Sequence, residues 1–197
     1  MDAGKLKNIF LSASIPLPER DQKYYHTADI IAIRDAVISL ATVALPTCKL
    51  VWGGHPSITP LIYYVLQRMD LKINEHITLF QSRFFEKYFP EDNNKFNNVI
   101  LTDKQENKPD SLKLMRTKMF ESGKFDAAIF IGGMEGVEDE YSLFCEMHPE
   151  ALLLPIASTG AAAKIVYDNY FKDKNERFEK DYAYMSLFQK YLIDKIK

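Results

Sequence analysis

The residues best equipped for chemistry stand together in Gly132-Gly133-Met134-Glu135-Gly136-Val137-Glu138-Asp139-Glu140, directly after the apolar run Ala127 to Ile131. Glycines at the end of a buried strand let a phosphate or sugar approach the backbone. The free N–H groups of a following helix, with their partial positive charge, suit an anion. Glu140 would accept ribose hydroxyls or, in an enzyme, stabilise an oxocarbenium-like transition state. A second glycine-ended strand lies upstream, where Lys49-Leu50-Val51-Trp52 runs into Gly53-Gly54-His55-Pro56. Either pair would also serve a tight strand-to-helix turn, but the repetition points to a nucleotide-sized cleft.

Four further side chains are candidates for an anion. Arg116 lies on the rim of an amphipathic helix, facing a phosphate or simply solvent. Arg34 sits between Ile33 and Ala36 on an otherwise apolar helix, where a charge is costly unless paired. It is expected either to fork around a phosphate in the cleft or to pair with Asp29 or Asp126. Arg83 follows a strand, and His55, directly after a glycine pair, would donate to a phosphate, stack on a base or merely complete a turn. Tyr24, Tyr25, Phe84, Phe85, Tyr88 and Phe89 are candidates to cover an adenine, or to fill a core. His26, His76 and His148 have no metal spacing with each other or with Cys48 and Cys145, so no metal and no cofactor are expected.

These groups need a scaffold, and the apolar pattern describes one. Strands are expected at Asn8–Ser12, Leu50–Trp52, His76–Phe80, Val99–Leu101, Asp126–Ile131 and 151–157. Helices alternate with them: one capped by Thr27, one opened by Thr59-Pro60 and running through Met69, then Pro109–Glu121, 135–147, 161–171 and a C-terminal helix from Asp181. Gln81 to Asn98, crowded with aromatics, charges and Asn, reads as a loop with a short helix over the cleft mouth. Strands alternating with helices predict an α/β, Rossmann-like three-layer sandwich with a mainly parallel sheet of about five or more strands. In such sheets ligands sit beyond the carboxyl ends of the strands. Ser12-Ala13-Ser14, Gly53-Gly54-His55, Gln81-Ser82-Arg83, Gly132-Gly133-Met134 and Ser158-Thr159-Gly160 all fall there.

With 197 residues, 47% hydrophobic, the whole chain is expected to form one domain. A net charge of −2 with interspersed signs lacks the basic face that a nucleic-acid partner requires. No apolar run approaches the ~18 residues of a membrane span, and the first residues lack the apolar stretch of a leader, so no membrane partner and a cytoplasmic location are expected.

The motifs resemble those of the SLOG superfamily, shared by cytokinin-activating phosphoribohydrolases, the DNA-processing protein DprA and nucleotide-sensing domains. The enzymes' Pro-Gly-Gly-x-Gly-Thr-x-x-Glu motif is followed by Gly132 to Glu140 with one inserted residue, and their functional arginine by Arg116 within Met115-Arg116-Thr117-Lys118-Met119. Ile131 replaces the motif's proline and Val137 its phosphate-binding threonine, which weighs against intact phosphoribohydrolase chemistry. Ile9 to Pro16, Thr27 to Asp29, Ala32 to Val37 and Val51 to Pro60 resemble the branch associated with TIR and nucleoside phosphorylase-like domains in bacterial conflict systems. That resemblance implies a homo-oligomeric sensor of a nucleotide-derived small molecule, ADP-ribose-like or a cyclic nucleotide, in anti-phage defence with a TIR-domain partner. The ligand residues expected from their types and strand-end positions are Ser12, Ala13, Ser14, Arg34, Gly53, Gly54, His55, Arg83, Gly132 to Gly136, Ser158 and Thr159. The alternatives are a hydrolase of a nucleotide N-glycosidic bond, with Glu140 and Arg116 catalytic, a TIR-like NAD hydrolase, and a structural adaptor.

Overall fold

Ile9 and Leu11 enter one apolar cluster while Phe10, between them, enters another; Ala127, Ile129 and Ile131 alternate with Ala128 and Phe130 in the same way. A period of two with both sides apolar is the mark of a strand covered on both faces. The computed structural model describes residues 6–69 and 76–196, so the first five, on which the expectation of no leader rested, lie outside it. Its strands are β1 (Lys7–Ser14), β2 (Cys48–Gly53), β3 (Ile77–Ser82), β4 (Val99–Thr102), β5 (Ala127–Gly132) and β6 (Leu152–Ile156). They form one six-stranded sheet in the order β4-β3-β2-β1-β5-β6, parallel at every pairing. The fold is the expected α/β Rossmann-like sandwich.

Helices cover both faces. Among them are α1 (Gln22–Tyr25), α2 (Ile30–Ala44), α3 (Thr59–Leu66), α4 (Lys108–Glu121), α5 (Glu135–Met147), α6 (Ala161–Tyr170), α7 (Glu176–Lys180) and α8 (Tyr184–Phe188). Side chains of α2, α3 and α8 fill the cluster containing Ile9, whereas those of α4 and α5 pack around Phe10. Phe10 stacks on Phe144 at 5.4 Å and meets Phe120 edge-on at 4.8 Å. The chain steps outward from β1 to β4 on one side, then crosses over to β5 and β6 on the other. β1 and β5 are therefore neighbours whose crossovers diverge, the switch point at which such sheets bind ligands.

Local chemistry moved several expected boundaries. Thr27 does not cap α2. Its hydroxyl donates to the Lys23 carbonyl at 3.0 Å and accepts from the Ala161 N–H at 3.2 Å, leaving Asp29 to cap by accepting from the Ala32 N–H at 2.9 Å. Ile30, the first residue of α2, is exposed. Thr59 is the first residue of α3 rather than its cap, and its hydroxyl accepts from the Trp52 indole at 3.4 Å; the helix ends at Leu66, short of Met69. β3 runs on to Ser82, and the segment beyond it contains two 3-10 turns, Arg83–Tyr88 and Glu91–Lys95. The C-terminal helix begins at Tyr184 and passes into a π-helical turn at Gln189–Ile193.

Candidate functional site

A cavity of about 300 Å³ opens at the carboxyl end of the sheet, bounded by the ends of β1, β2 and β3, one side of α4 and the first turn of α5. Its volume falls at the lower end of the ~300–1,000 Å³ typical of small-molecule sites. The floor is built by sharp turns. Ser14 pairs with Gly132, and the Gly133 N–H donates to the Ser14 carbonyl at 2.8 Å, prolonging the β1–β5 ladder beyond the sheet. Gly132 and Gly133 then take φ of 55° and 86°, the left-handed region open to glycine, and turn the chain into α5. Among the described residues no side chain caps this helix and none accepts from the N–H groups of Glu135 and Gly136, two residues that line the cavity.

Arg116 is the most constrained charge here. Its side chain is 11% exposed, and each guanidinium nitrogen is engaged. Nε donates to Glu140 Oε1 at 3.2 Å, Nη1 to Asp139 at 3.0 Å and Nη2 to the Gly136 carbonyl at 3.2 Å. A Cβ at position 136 would lie 3.0 Å from Nη2, so that glycine makes room for the arginine. Glu140 takes a further hydrogen bond from the Ser12 hydroxyl at 2.5 Å on its other oxygen. Arg116 and Glu140 both line the cavity, and α4 and α5 are tied together there by a largely buried ion pair.

On the opposite side, Gly53 leaves space for the Met115 thioether and Gly54 for the Gln81 side chain, whose Nε2 would stand 2.0 Å from an added Cβ. His55 follows. Its Nδ1 accepts from the Ser57 N–H at 3.2 Å and lies 2.8 Å from the Ser57 hydroxyl, which itself accepts from the Ile15 N–H. That pattern places the ring proton on Nε2, and burial pushes the imidazole down to about 4, so His55 is a neutral donor, not a cation. Phe85, Tyr88 and Phe89, with Pro90, form an aromatic wall from the segment after β3. The cavity is thus lined by aromatic side chains and by the cations Arg20, which pairs with Glu135 in the first turn of α5, and Lys108.

Of the expected site residues, Ala13, Ser14, Gly53, Gly54, His55, Met134, Glu135, Gly136, Arg116 and Glu140 are brought together on this cavity. Ser12 stands behind Glu140 rather than on the wall, and Gly132 and Gly133 shape the turn beneath it. Three expectations are corrected. Arg34 does not reach the cleft: its side chain is 56% exposed and pairs with Asp35, not with Asp29 or Asp126. Arg83 points to solvent and pairs with Glu86. Ser158 bonds the Tyr184 hydroxyl at 3.0 Å, and Thr159 is fully buried, accepting from the Gly132 N–H at 2.8 Å and donating to the Ile156 carbonyl at 2.5 Å; both are structural. Tyr24 is a core residue and Phe84 is off the cavity, so neither covers a base there. Arg20 and Lys108 were missed. The only signals were the Pro16 and Pro18 loop directly after β1 and the capping Asn107 before α4.

Residues 23–192 match the SLOG cluster3 family. The chain belongs to that family. No curated protein matches this SLOG chain. Among solved structures, the X-ray structure of TM1055, a structural-genomics target, resembles it with a TM-score of 0.55 and 11% identity, covering 88% of this chain and 89% of that one. At that identity the likeness speaks for the fold. Family and fold together make this SLOG chain a nucleotide-related Rossmann-like protein. Among its described residues, no helix is long and apolar enough to cross a membrane.

Proposed function

We propose that the cavity binds a nucleotide or an NAD-derived nucleotide as a signal. The observation that carries this reading is the lining of the cavity at the β1–β5 switch point: aromatic side chains suited to a base, together with Arg20, Lys108 and the first turn of α5, suited to phosphate. Binding is favoured over catalysis because all three nitrogens of Arg116 are committed to α5, leaving it a poor partner for a reacting phosphate. The resemblance to the TIR-associated branch supports a role in anti-phage defence with a TIR-domain partner in the cytoplasm. Exposed Ile30, Ile31, Tyr182 and Met185 support a homo-oligomer that ligand binding reorganises. Isothermal titration with ADP-ribose, cyclic ADP-ribose isomers and AMP tests the reading. Saturable heat with at least one is expected, and silence with all three overturns it.

One observation favours a second reading: Glu140 lines the cavity and is oriented by both Ser12 and Arg116, as a carboxylate working on a glycosidic bond would be. Release of free base from AMP or NAD, lost in Glu140→Gln, would establish it.

A further inference from the structure

Gln81, the last residue but one of β3, is only 4% exposed, yet its side chain borders the cavity. Among the described residues its carboxamide has no hydrogen-bond partner, whereas Arg116 and Glu140 on the same wall are engaged by each other and by their neighbours. A buried amide without partners costs free energy, because its N–H donors and its carbonyl have given up water. The fold nevertheless makes room for it. A Cβ at position 54 would collide with the amide, so the second glycine of the β2 pair keeps that space open. Ser14, the other buried residue on the wall whose polar side chain lacks a partner, offers only a hydroxyl that rotates to suit.

A carboxamide instead sets a donor and an acceptor side by side in one plane. That edge matches a base with an exocyclic amino group next to a ring nitrogen, the way glutamine pairs with adenine. Its position also favours a base, since Phe85, Tyr88 and Phe89, whose rings suit stacking, come from the segment directly after Gln81 and line the same cavity. We propose that Gln81 reads the base of the bound nucleotide, its carboxamide accepting from the amino group of an adenine and donating to the neighbouring ring nitrogen. This deepens the nucleotide-binding reading and rests on it. Pairing with the base restores to the amide the hydrogen bonds that the ligand-free chain denies it.

Isothermal titration of the full chain with AMP and with purine riboside 5′-monophosphate, which lacks only the 6-amino group, tests the assignment. The expected preference for AMP is roughly tenfold to a hundredfold, the range of one bidentate side-chain–base pair. Gln81→Met keeps the length of the side chain and removes its donors and acceptor. It should weaken AMP to the level of the analogue while leaving the analogue little changed. The melting temperature of the ligand-free variant should not fall, because no protein hydrogen bond is lost. No preference of the wild-type chain for AMP, a preference that survives Gln81→Met, or a destabilised variant overturns the assignment and leaves nucleotide binding standing. No heat with AMP, the analogue or ADP-ribose overturns the nucleotide reading and this inference with it.

Discussion

The two glycine pairs at the cavity look alike in sequence and do different work. Gly132 and Gly133 are required by the backbone: both have positive φ, and the Gly132 N–H, turned out of the ladder, is satisfied by the Thr159 hydroxyl. Gly53 and Gly54 are required by their neighbours. Neither needs a positive φ, the Gly54 N–H still donates to the Phe80 carbonyl at 2.9 Å, and what a side chain would meet is Met115 at position 53 and Gln81 and Leu79 at position 54. One pair bends the chain into a helix N-terminus, and the other clears space for the cavity's floor. A glycine pair after an apolar run therefore identifies a close approach, but not whether torsion or volume demands it.

Breaking the first pair should cost most. In Gly133→Ala the new Cβ would stand 2.2 Å from Val137 Cγ2, at a φ of 86° that an L residue rarely adopts. Strain and overpacking together predict a loss of about 3 kcal/mol in urea denaturation. Trimming Val137 to Ala in the same chain should recover only part of it, because the torsional cost remains. A loss below about 1 kcal/mol would show that the turn tolerates a side chain and that the contrast is false.

Next in size is Thr159→Val, expected to cost about 2 kcal/mol by leaving the buried Gly132 N–H without an acceptor, while Thr159→Ser retains most of the stability. The second pair has no such dependence on a side-chain acceptor. Gly54→Ala should cost about 1–2 kcal/mol, and here Gln81→Ala should recover a large part of it, since the closest clash is with the end of the Gln81 side chain and the remaining one, at 2.7 Å, is with buried Leu79. Absence of coupling between positions 54 and 81 in the double-mutant cycle would sink the volume explanation.

The same distinction explains what could be read in advance. Strand and helix alternation, and hence the parallel sheet and its ligand edge, followed from apolar periodicity, which both faces of β1 and β5 display. The cap of α2 did not, because Thr27 and Asp29 are equivalent on paper until the Ala161 N–H claims one of them. Arg34 was misplaced in the cleft, whereas Arg116 does line the cavity but with partners the sequence did not name. The partner of Arg34 is its immediate neighbour Asp35, whereas the partners of Arg116 lie on another helix, and no spacing along the chain reveals that α5 will pack there. The aromatic wall was hard to place for a related reason: the 3-10 turns after β3 have no period that separates cavity-facing rings from others.

The smallest expected effect concerns the side chain that follows the second glycine pair. Burial lowers His55 to about 4 from the 6.5 of an exposed imidazole, so between those values the unfolded chain binds a proton that the folded chain refuses. The sign follows from that difference. This contribution to stability is complete above pH 6.5 and lost progressively as pH falls toward 4. Unfolding free energy should therefore slope downward with falling pH across this window, and His55→Asn, which cannot titrate, should flatten the slope while leaving the values near pH 7.5 little affected by protonation. No counterpart is expected at the first pair, where Met134 occupies the corresponding position. Should His55→Asn leave the slope unchanged, the ring would have to titrate alike in both states, and the packing that Gly53 and Gly54 permit around it would not be as close as the geometry requires.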